Sequence, residues 1–555
     1  MKKRMAVAMM ALLTIGSVIT GCQNSNVSVS KNTASITAPI DTSKENIDHV
    51  ATQSEETNIP SEQADEFEIL QNKEDGIISG DHYLGTDVNT VTWGRLPNKD
   101  TAPALVIKSG ETVTIDTLSH EGILEDQGKN PIAYFGKFGI AEDQVLDDAK
   151  EIASSNLPHN FDEDGPHVIT GPIFIEEAQP GDVLKVEVLS LTPRVPYGII
   201  TNRHYKGALP EEFPENEGRQ EGASAENYEL YNNVSIFAPI KEVDGSYYCY
   251  LDDPNQEETN LWFPIHPFLG TMGVAANSSE SASTVPPTRL GGNLDINELG
   301  EGSTLYLPVD VNGALFYTGD PHFAQGDGEV ALTALEGSLR ATVRLTVLKN
   351  GTEDIVGNSN DFTMAFGETQ DYWIPIGLNE DLDEAMKQSV RESIDFISEQ
   401  FSIQRSVAYA YLSAATDYEV SQVVDKTKGI HALIPKINFK DYTSYCLKSG
   451  DNTYDLVIHN DEYYVNADTV LEQLGATTEL NSETNTYTVT YKNSTYKMTI
   501  GSNCYEADTK IIELADSPYL EGEQVYIPVS SFLSVFRIPL NWSTSGNKIT
   551  GTLGF

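Results

Sequence analysis

Gly319-Asp320-Pro321-His322-Phe323-Ala324-Gln325-Gly326-Asp327-Gly328-Glu329-Val330 sets one histidine and three carboxylates among glycines within twelve residues. The stretch before it, residues 304–318, reads TLYLPVDVNGALFYT, and residues 330–337 read VALTALEG. Both flanks are rich in β-branched and aromatic residues, the composition of strands. Glycine lets a backbone turn tightly or approach a ligand closely. Polar groups at strand ends on a rigid β scaffold are a common way to build a site. His, Asp and Glu are also the nitrogen and oxygen ligands of zinc and calcium. The competing reading is an acidic turn whose carboxylates are solvated or cap the chain.

The same short-strand pattern extends outward from this stretch. From about residue 82 to 350, brief alternating runs are broken by Gly, Pro and Asp. Examples are Ala104 to Lys108, Thr112 to Thr117, Val183 to Leu189 and Ala341 to Leu348. Helical periodicity comes late. Over Glu380 to Phe401, Leu382, Ala385, Met386, Val390, Ile394 and Ile397 share one face. Ser406 to Ala415 is a second, shorter helix. Near residue 438 the character changes. Glu462 to Gly475 and Gln524 to Phe536 each read as a strand running into a helix, followed by a polar turn and a strand. The expected fold is a mainly β, β-sandwich-like body with late helices over 76–438. A small α+β repeat domain follows over 439–555.

The chain has 555 residues, too many for one core, so at least two domains are expected. Asp+Glu number 83 against 35 Lys+Arg, a formal net charge of -48. Such a chain repels nucleic acid. Lys2, Lys3 and Arg4 precede an apolar run from Met5 to Val18, too short for an ordinary membrane span. Ile19-Thr20-Gly21-Cys22 then has the form of a bacterial lipobox. Residues 1–22 are expected to be a lipoprotein signal peptide, with Cys22 acylated and two or more acyl chains giving stable anchoring. The competing reading is an ordinary secretory signal followed by a chance cysteine. Residues 23–75 are polar and nearly free of aromatics, so a disordered tether is expected. The other cysteines are Cys249, Cys446 and Cys504, too few for a disulfide scaffold. Cys446 and Cys504 either pair or remain as two buried thiols.

Residues 82 to about 436 resemble the acetamidase/formamidase family. The resemblance rests on DTLSHEGILEDQ (116–127), GPHVITGP (165–172), EAQPGDVL (177–184), VPYGIITNRHYKGAL (195–209), HPFLGTMGVA (266–275), GGNLD (291–295), STLYLPV (303–309), residues 313–330 and residues 423–435. It implies a β-rich catalytic domain that hydrolyses a small amide to carboxylate and ammonia, a bound divalent metal, zinc or calcium, and a homodimer. The terminal residues resemble the repeat domain at the N-terminus of some copper amine oxidases and on cell-surface proteins of Gram-positive bacteria. Asn466 stands where that repeat usually has Pro, and the second unit lacks the Leu-Gly ending of the first. No His cluster here suits copper, so this part is expected to be a surface-contact or spacer module reaching the cell wall. The whole chain is expected on the outer face of the cytoplasmic membrane of a Gram-positive bacterium, touching the membrane through its lipid alone.

Amide hydrolysis needs an activated water, an electrophile for the carbonyl oxygen and an acid for the leaving amine. Glu329 is the expected general base. Asp295, Asp320 and His322 are the expected metal ligands, and Asp327 belongs to the same acidic turn. Asp116, His120 and Glu121 follow the strand TVTID, with Asp116 a further ligand and His120 a further catalytic group. Each of these residues has the alternative of a turn or cap role. His167 and His266 stand beside Pro and read equally as structural histidines, and His159 as solvated. Arg203 and Arg289 either orient a substrate carbonyl or pair with carboxylates. Ser119 and His120 are neighbours in the chain and would face opposite ways on a strand, which disfavours a Ser-His dyad. The contrasting function is a catalytically inactive surface-binding lipoprotein.

Overall fold

The computed structural model describes residues 67–555, apart from 244–245, 254–260, 351, 353–355, 357–361, 440–443, 451, 460–461, 483, 493, 508–509, 515, 523, 546–547 and 555. Cys22, the expected leader and most of the expected tether lie outside the described residues.

A nine-stranded and an eleven-stranded sheet build the larger body. One hydrophobic cluster takes Ile115, Val186, Leu305 and Leu345 from the first sheet and Ile173, Leu269 and Phe316 from the second. Side chains of two sheets in one core make the expected sandwich-like arrangement. The strands read from sequence are present as Leu105–Ile107, Thr112–Asp116, Val183–Pro193 and Leu339–Leu348.

Residues 67–75, the end of the expected tether, include a segment packed into the larger body. Leu70 is buried, and the fully buried Arg194 donates to Leu70 O at 2.9 Å and Gln71 O at 3.0 Å. A buried guanidinium needs acceptors, and this stretch supplies two of them. Composition alone does not reveal that use of the backbone.

The late helices are Leu382–Phe401 and Arg405–Ala415. Asp381 caps the first, accepting from Glu384 N at 3.1 Å. Its buried stripe is Ala385, Ser389, Ser393, Phe396 and Ile397, while Leu382 and Met386 are exposed. The stripe differs from the expected one because the helix lies close on the strand Tyr372–Asn379. A Cβ on Gly377 would come within 2.1 Å of Ala385 O and 2.4 Å of Ser389 N. Small residues fit that approach. The Ser389 hydroxyl is satisfied by Pro375 O at 3.2 Å and that of Ser393 by Ser389 O at 2.7 Å.

The terminal repeat is as expected. Strand Glu462–Asn466 leads into helix Ala467–Gln473, and strand Gln524–Pro528 into helix Ser530–Ser534. The two strands pair antiparallel, with Val465 opposite Ile527. Asn466, standing in the usual Pro position, caps its helix by accepting from Thr469 N at 3.2 Å. Val465, Leu471, Tyr487, Ile527 and Phe532 form a hydrophobic cluster separate from that of the larger body. Cys446 is a buried free thiol and Cys504 an exposed one, so the pairing alternative is not realised.

The strand that carries the opening motif is Phe316–Ala324, buried along nearly its whole length. It lies between strands Phe268–Val274 and Val168–Ile175, and its end pairs with Leu335–Glu336.

Candidate active site

Residues two apart on a strand share a face. Asp320 and His322 therefore project together from the Phe316 strand. Glu336 lies opposite His322 on the neighbouring strand. His322 Nε2 is 3.3 Å from Asp320 Oδ2 and 3.2 Å from Glu336 Oε1. The loop after strand Thr112–Asp116 delivers His120, whose Nδ1 is 3.7 Å from Asp320 Oδ1 and 3.9 Å from Glu336 Oε2. His167, just before strand Val168–Ile175, places Nε2 3.7 Å from Asp320 Oδ1. Its other nitrogen lies 3.0 Å from Thr284 Oγ1. The His120 and His167 rings meet edge to face at 5.3 Å.

A second layer joins this one. Candidate ligand atoms of Asp295, Asp320 and His322 lie within 4.8 Å of one another, and so do those of Asp295, Glu329 and Asp425. Strand Phe268–Val274 runs beside them and has glycine at 270. A Cβ there would come within 2.6 Å of Asp295 Oδ1 and 2.8 Å of Asp320 Oδ2. Asp295, Asp320 and Glu329 all take positive φ, at 51°, 51° and 46°. Non-glycine residues seldom adopt that region, and strain of this kind gathers at functional sites.

All eight residues are buried. Both ring nitrogens of His120 and of His322, both oxygens of Asp295, Asp320 Oδ1 and Glu336 Oε2 have no hydrogen-bond partner. Each buried group left unsatisfied costs about 1–3 kcal/mol. A set of imidazoles and carboxylates left this way, facing one another, fits a divalent cation.

The charges follow from this crowding. Burial pushes Glu329 well above the usual carboxylate range, and the Asp425 charge adds to it. Burial also carries Asp425 up to about 7. Burial favours neutral His322, but Glu336 and Asp320 outweigh it and hold its pKa well above the ordinary value. Burial takes His167 down to about 4, so its ring is neutral and able to act as a ligand. Glu121 is buried too, yet Arg203 and His120 hold it down at about 2.

The site opens on a cavity of about 610 Å³ lined by His120, His167, Arg203, Asp320, Glu329 and Asp425. Arg203 is braced by Asp126 at 2.6 Å and Glu121 at 3.4 Å.

Of the residues expected from sequence, His120, Asp295, Asp320, His322 and Glu329 come together. Asp116 does not. Arg340 holds it with contacts of 2.7 and 2.9 Å, Tyr83 donates to it at 2.7 Å, and Arg194 lies 3.8 Å away. Its charge is spent in that ion network, so it is not a ligand candidate. Asp327 turns away into another cluster. His159 is stacked on Trp93 at 4.2 Å rather than solvated. Arg289 pairs with Asp310 at the surface. Sequence reading missed Glu336 and Asp425 and left His167 undecided. Glu336 is placed by strand register, and Asp425 by a turn distant in sequence. Neither carries a local signal beyond its residue type.

Comparison with known proteins agrees with the resemblance in both parts of the chain. Residues 252–440 match the model of the Acetamidase/Formamidase family, and residues 451–550 match that of the Copper amine oxidase N-terminal domain. A protein of Schizosaccharomyces pombe that bears a provisional formamidase name is 29% identical over 310 residues, 49% of this chain and 69% of that protein. The acetamidase of Mycolicibacterium smegmatis is 28% identical over 239 residues, 36% of this chain and 57% of the relative. The chain thus spans a little over half the length of that acetamidase. The solved acetamidase of Bacillus halodurans aligns with TM-score 0.47 and 24% identity, over 64% of this chain and 97% of that one.

Proposed function

We propose that this chain is a hydrolase of linear amide C–N bonds, cleaving a small formamide- or acetamide-like substrate to carboxylate and ammonia with the help of a metal. The observation that carries this reading is the set of unsatisfied nitrogen and oxygen atoms on His120, Asp320, His322 and Glu336, buried beside a cavity of about 610 Å³. That volume lies within the usual range for small-molecule sites. The relatives named as acetamidase and formamidase point to the same chemistry.

His120, His167 and Asp320 form one group that would hold the metal, and His322 joins it through Asp320 in a second group with Asp295; Glu336 lies at the margin. Three imidazoles in the set favour zinc over calcium. When bound, such a metal supplies Lewis-acid polarisation of a carbonyl oxygen and acidifies water at neutral pH. The remaining work falls to side chains. Glu329, crowded by Asp425, takes the proton of the attacking water as the C–O bond forms. It returns that proton to the amide nitrogen as the C–N bond breaks, so the amine leaves neutral. Arg203, fixed by Asp126 and Glu121, turns positive charge toward the carbonyl and then toward the carboxylate product. Burial of the cluster excludes bulk water and strengthens these interactions.

The test is ammonia release from formamide and acetamide by the purified chain, before and after chelation. Release that is lost on chelation and restored by zinc is expected. Full activity after exhaustive chelation removes the metal from the mechanism, and no release from either amide or longer aliphatic amides removes the activity.

From the lipobox-like Ile19-Thr20-Gly21-Cys22 and the two resemblances we also propose that the protein sits on the outer face of the cytoplasmic membrane of a Gram-positive bacterium, anchored by acylated Cys22, as a homodimer whose terminal module contacts the wall. Cys22→Ala should release it to the medium or leave it unprocessed. Unchanged membrane retention and mass would refute the anchor.

A further inference from the structure

Glu298, Asp327, Glu419 and His431 form another cluster that shares no residue with the one above. Their candidate ligand atoms all lie within 4.8 Å of one another. They come from four places. Glu298 lies in the loop after strand Gly291–Asn293, and Asp327 in the Gly-framed loop after the Phe316 strand. Glu419 and His431 face each other on the paired strands Asp417–Gln422 and Lys428–Pro435. The His431 ring is fully buried and its Nδ1 is engaged with Ser421 Oγ at 2.8 Å. Its Nε2 points into the cluster, 3.0 Å from Glu298 Oε2 and 3.8 Å from Glu419 Oε2. Both His431 Nε2 and Glu298 Oε2 lack a hydrogen-bond partner. Asp327 is exposed, so the cluster communicates with solvent.

Three carboxylates facing one another repel, and the unpartnered imidazole nitrogen among them is buried. The 3.0 Å contact with Glu298 lets the imidazole answer only one of the three carboxylates; a cation answers all of them. A histidine ligand usually has its second nitrogen fixed by another group, as Ser421 fixes this one. We propose that Glu298, Asp327, Glu419 and His431 bind a second divalent cation of the zinc–manganese class. One imidazole with three carboxylates suits those ions, whereas calcium takes oxygen ligands alone. The site is structural. Gly328 N already donates to Ser421 O at 3.2 Å, and Val423 N to Gly328 O at 3.2 Å. A cation held by Asp327 and His431 adds a further tie between this loop and the two strands. Glu329 lies two residues beyond Asp327, so the ion acts as a positioning element for that carboxylate. Cation binding here does not depend on the amide reading.

The test uses the full chain, stripped by chelation and titrated separately with Zn²⁺, Mn²⁺ and Ca²⁺, with stoichiometry read by calorimetry and metal analysis. His431→Gln should bind one zinc or manganese fewer than wild type, or bind it at least about 10-fold more weakly. It should also lose the matching rise in Tm. His322→Ala should lose a different equivalent, which separates the two clusters. If His431→Gln misfolds, Glu298→Gln or Glu419→Gln gives the same readout from more exposed positions. Wild-type stoichiometry and affinity in these variants overturn the proposal. Binding of calcium alone overturns the ion class and the role of His431.

Discussion

Glu329 and Asp116 are both buried carboxylates from sequence blocks that suggested a site, and their surroundings give them opposite roles. Glu329 stands at positive φ among other acids, with its pKa driven up by burial and by Asp425. Glu329→Gln keeps the shape and removes the base. It should lower kcat by roughly 10²-fold or more, with circular dichroism and Tm close to wild type. Asp116 neutralises Arg340 and stands near Arg194. Asp116→Asn leaves buried guanidinium charge uncompensated and should cost about 3–5 kcal/mol by denaturant titration, while leaving zinc stoichiometry intact in the protein that folds.

Asp425 gives a pH prediction. Burial raises its folded pKa to about 7, against about 3.9 unfolded. The folded state thus binds the proton more tightly, so this contribution to stability is fully present below about pH 4 and is lost as pH rises toward about 7. In chelated protein, wild-type Tm should fall across that window more than the Tm of Asp425→Asn. Parallel Tm curves for the two proteins would contradict the burial argument.

At the scale of the element, the site depends on how strands approach. Gly270 lets strand Phe268–Val274 pass beside Asp295 and Asp320 without a side chain between them. Gly270→Ala should reduce bound metal and lower turnover by at least about 10-fold, with an overpacking cost of about 1–3 kcal/mol. A Cβ on Gly326 would meet nothing within 4 Å, so Gly326→Ala should keep near-native turnover and serves as control. Close approach also shapes the long late helix. Its length and its Asp381 cap are local properties and were legible. The stripe it buries keeps Ala385 and Ile397 of the expected row but takes in Ser389, because Gly377 admits Ala385 and Ser389 more closely than a row of large apolar residues would allow.

For the whole molecule, residues 66–555 form one compact unit, yet the terminal repeat has its own hydrophobic cluster. Phe439 belongs to the cluster of Trp373, Phe396 and Leu412. A chain ending at residue 440 therefore keeps that cluster whole. It should retain ammonia release within about twofold of the full chain, since no site residue is removed, and lose surface association. Aggregation or inactivity of that chain would make the terminal repeat part of the catalytic fold.

The amino-acid sequence by itself determined the β-rich class, the late helices, the duplicated terminal unit and five of the site residues. The elements rest on short-range features, period-two and helical patterning and turn residues; Asp320, His322 and Glu329 stand close together in one turn, while His120 and Asp295 lie in separate blocks that carry the family resemblance. Tertiary structure alone decided that Asp116 is an ion-pair residue, that Asp327 leaves the first cluster for a second, and that His167, Glu336 and Asp425 complete the site. Those outcomes depend on strand register and on which loops converge. Some of those contacts join residues more than a hundred positions apart, as Asp116 with Arg340, and the residue types in one segment are compatible with many such partners.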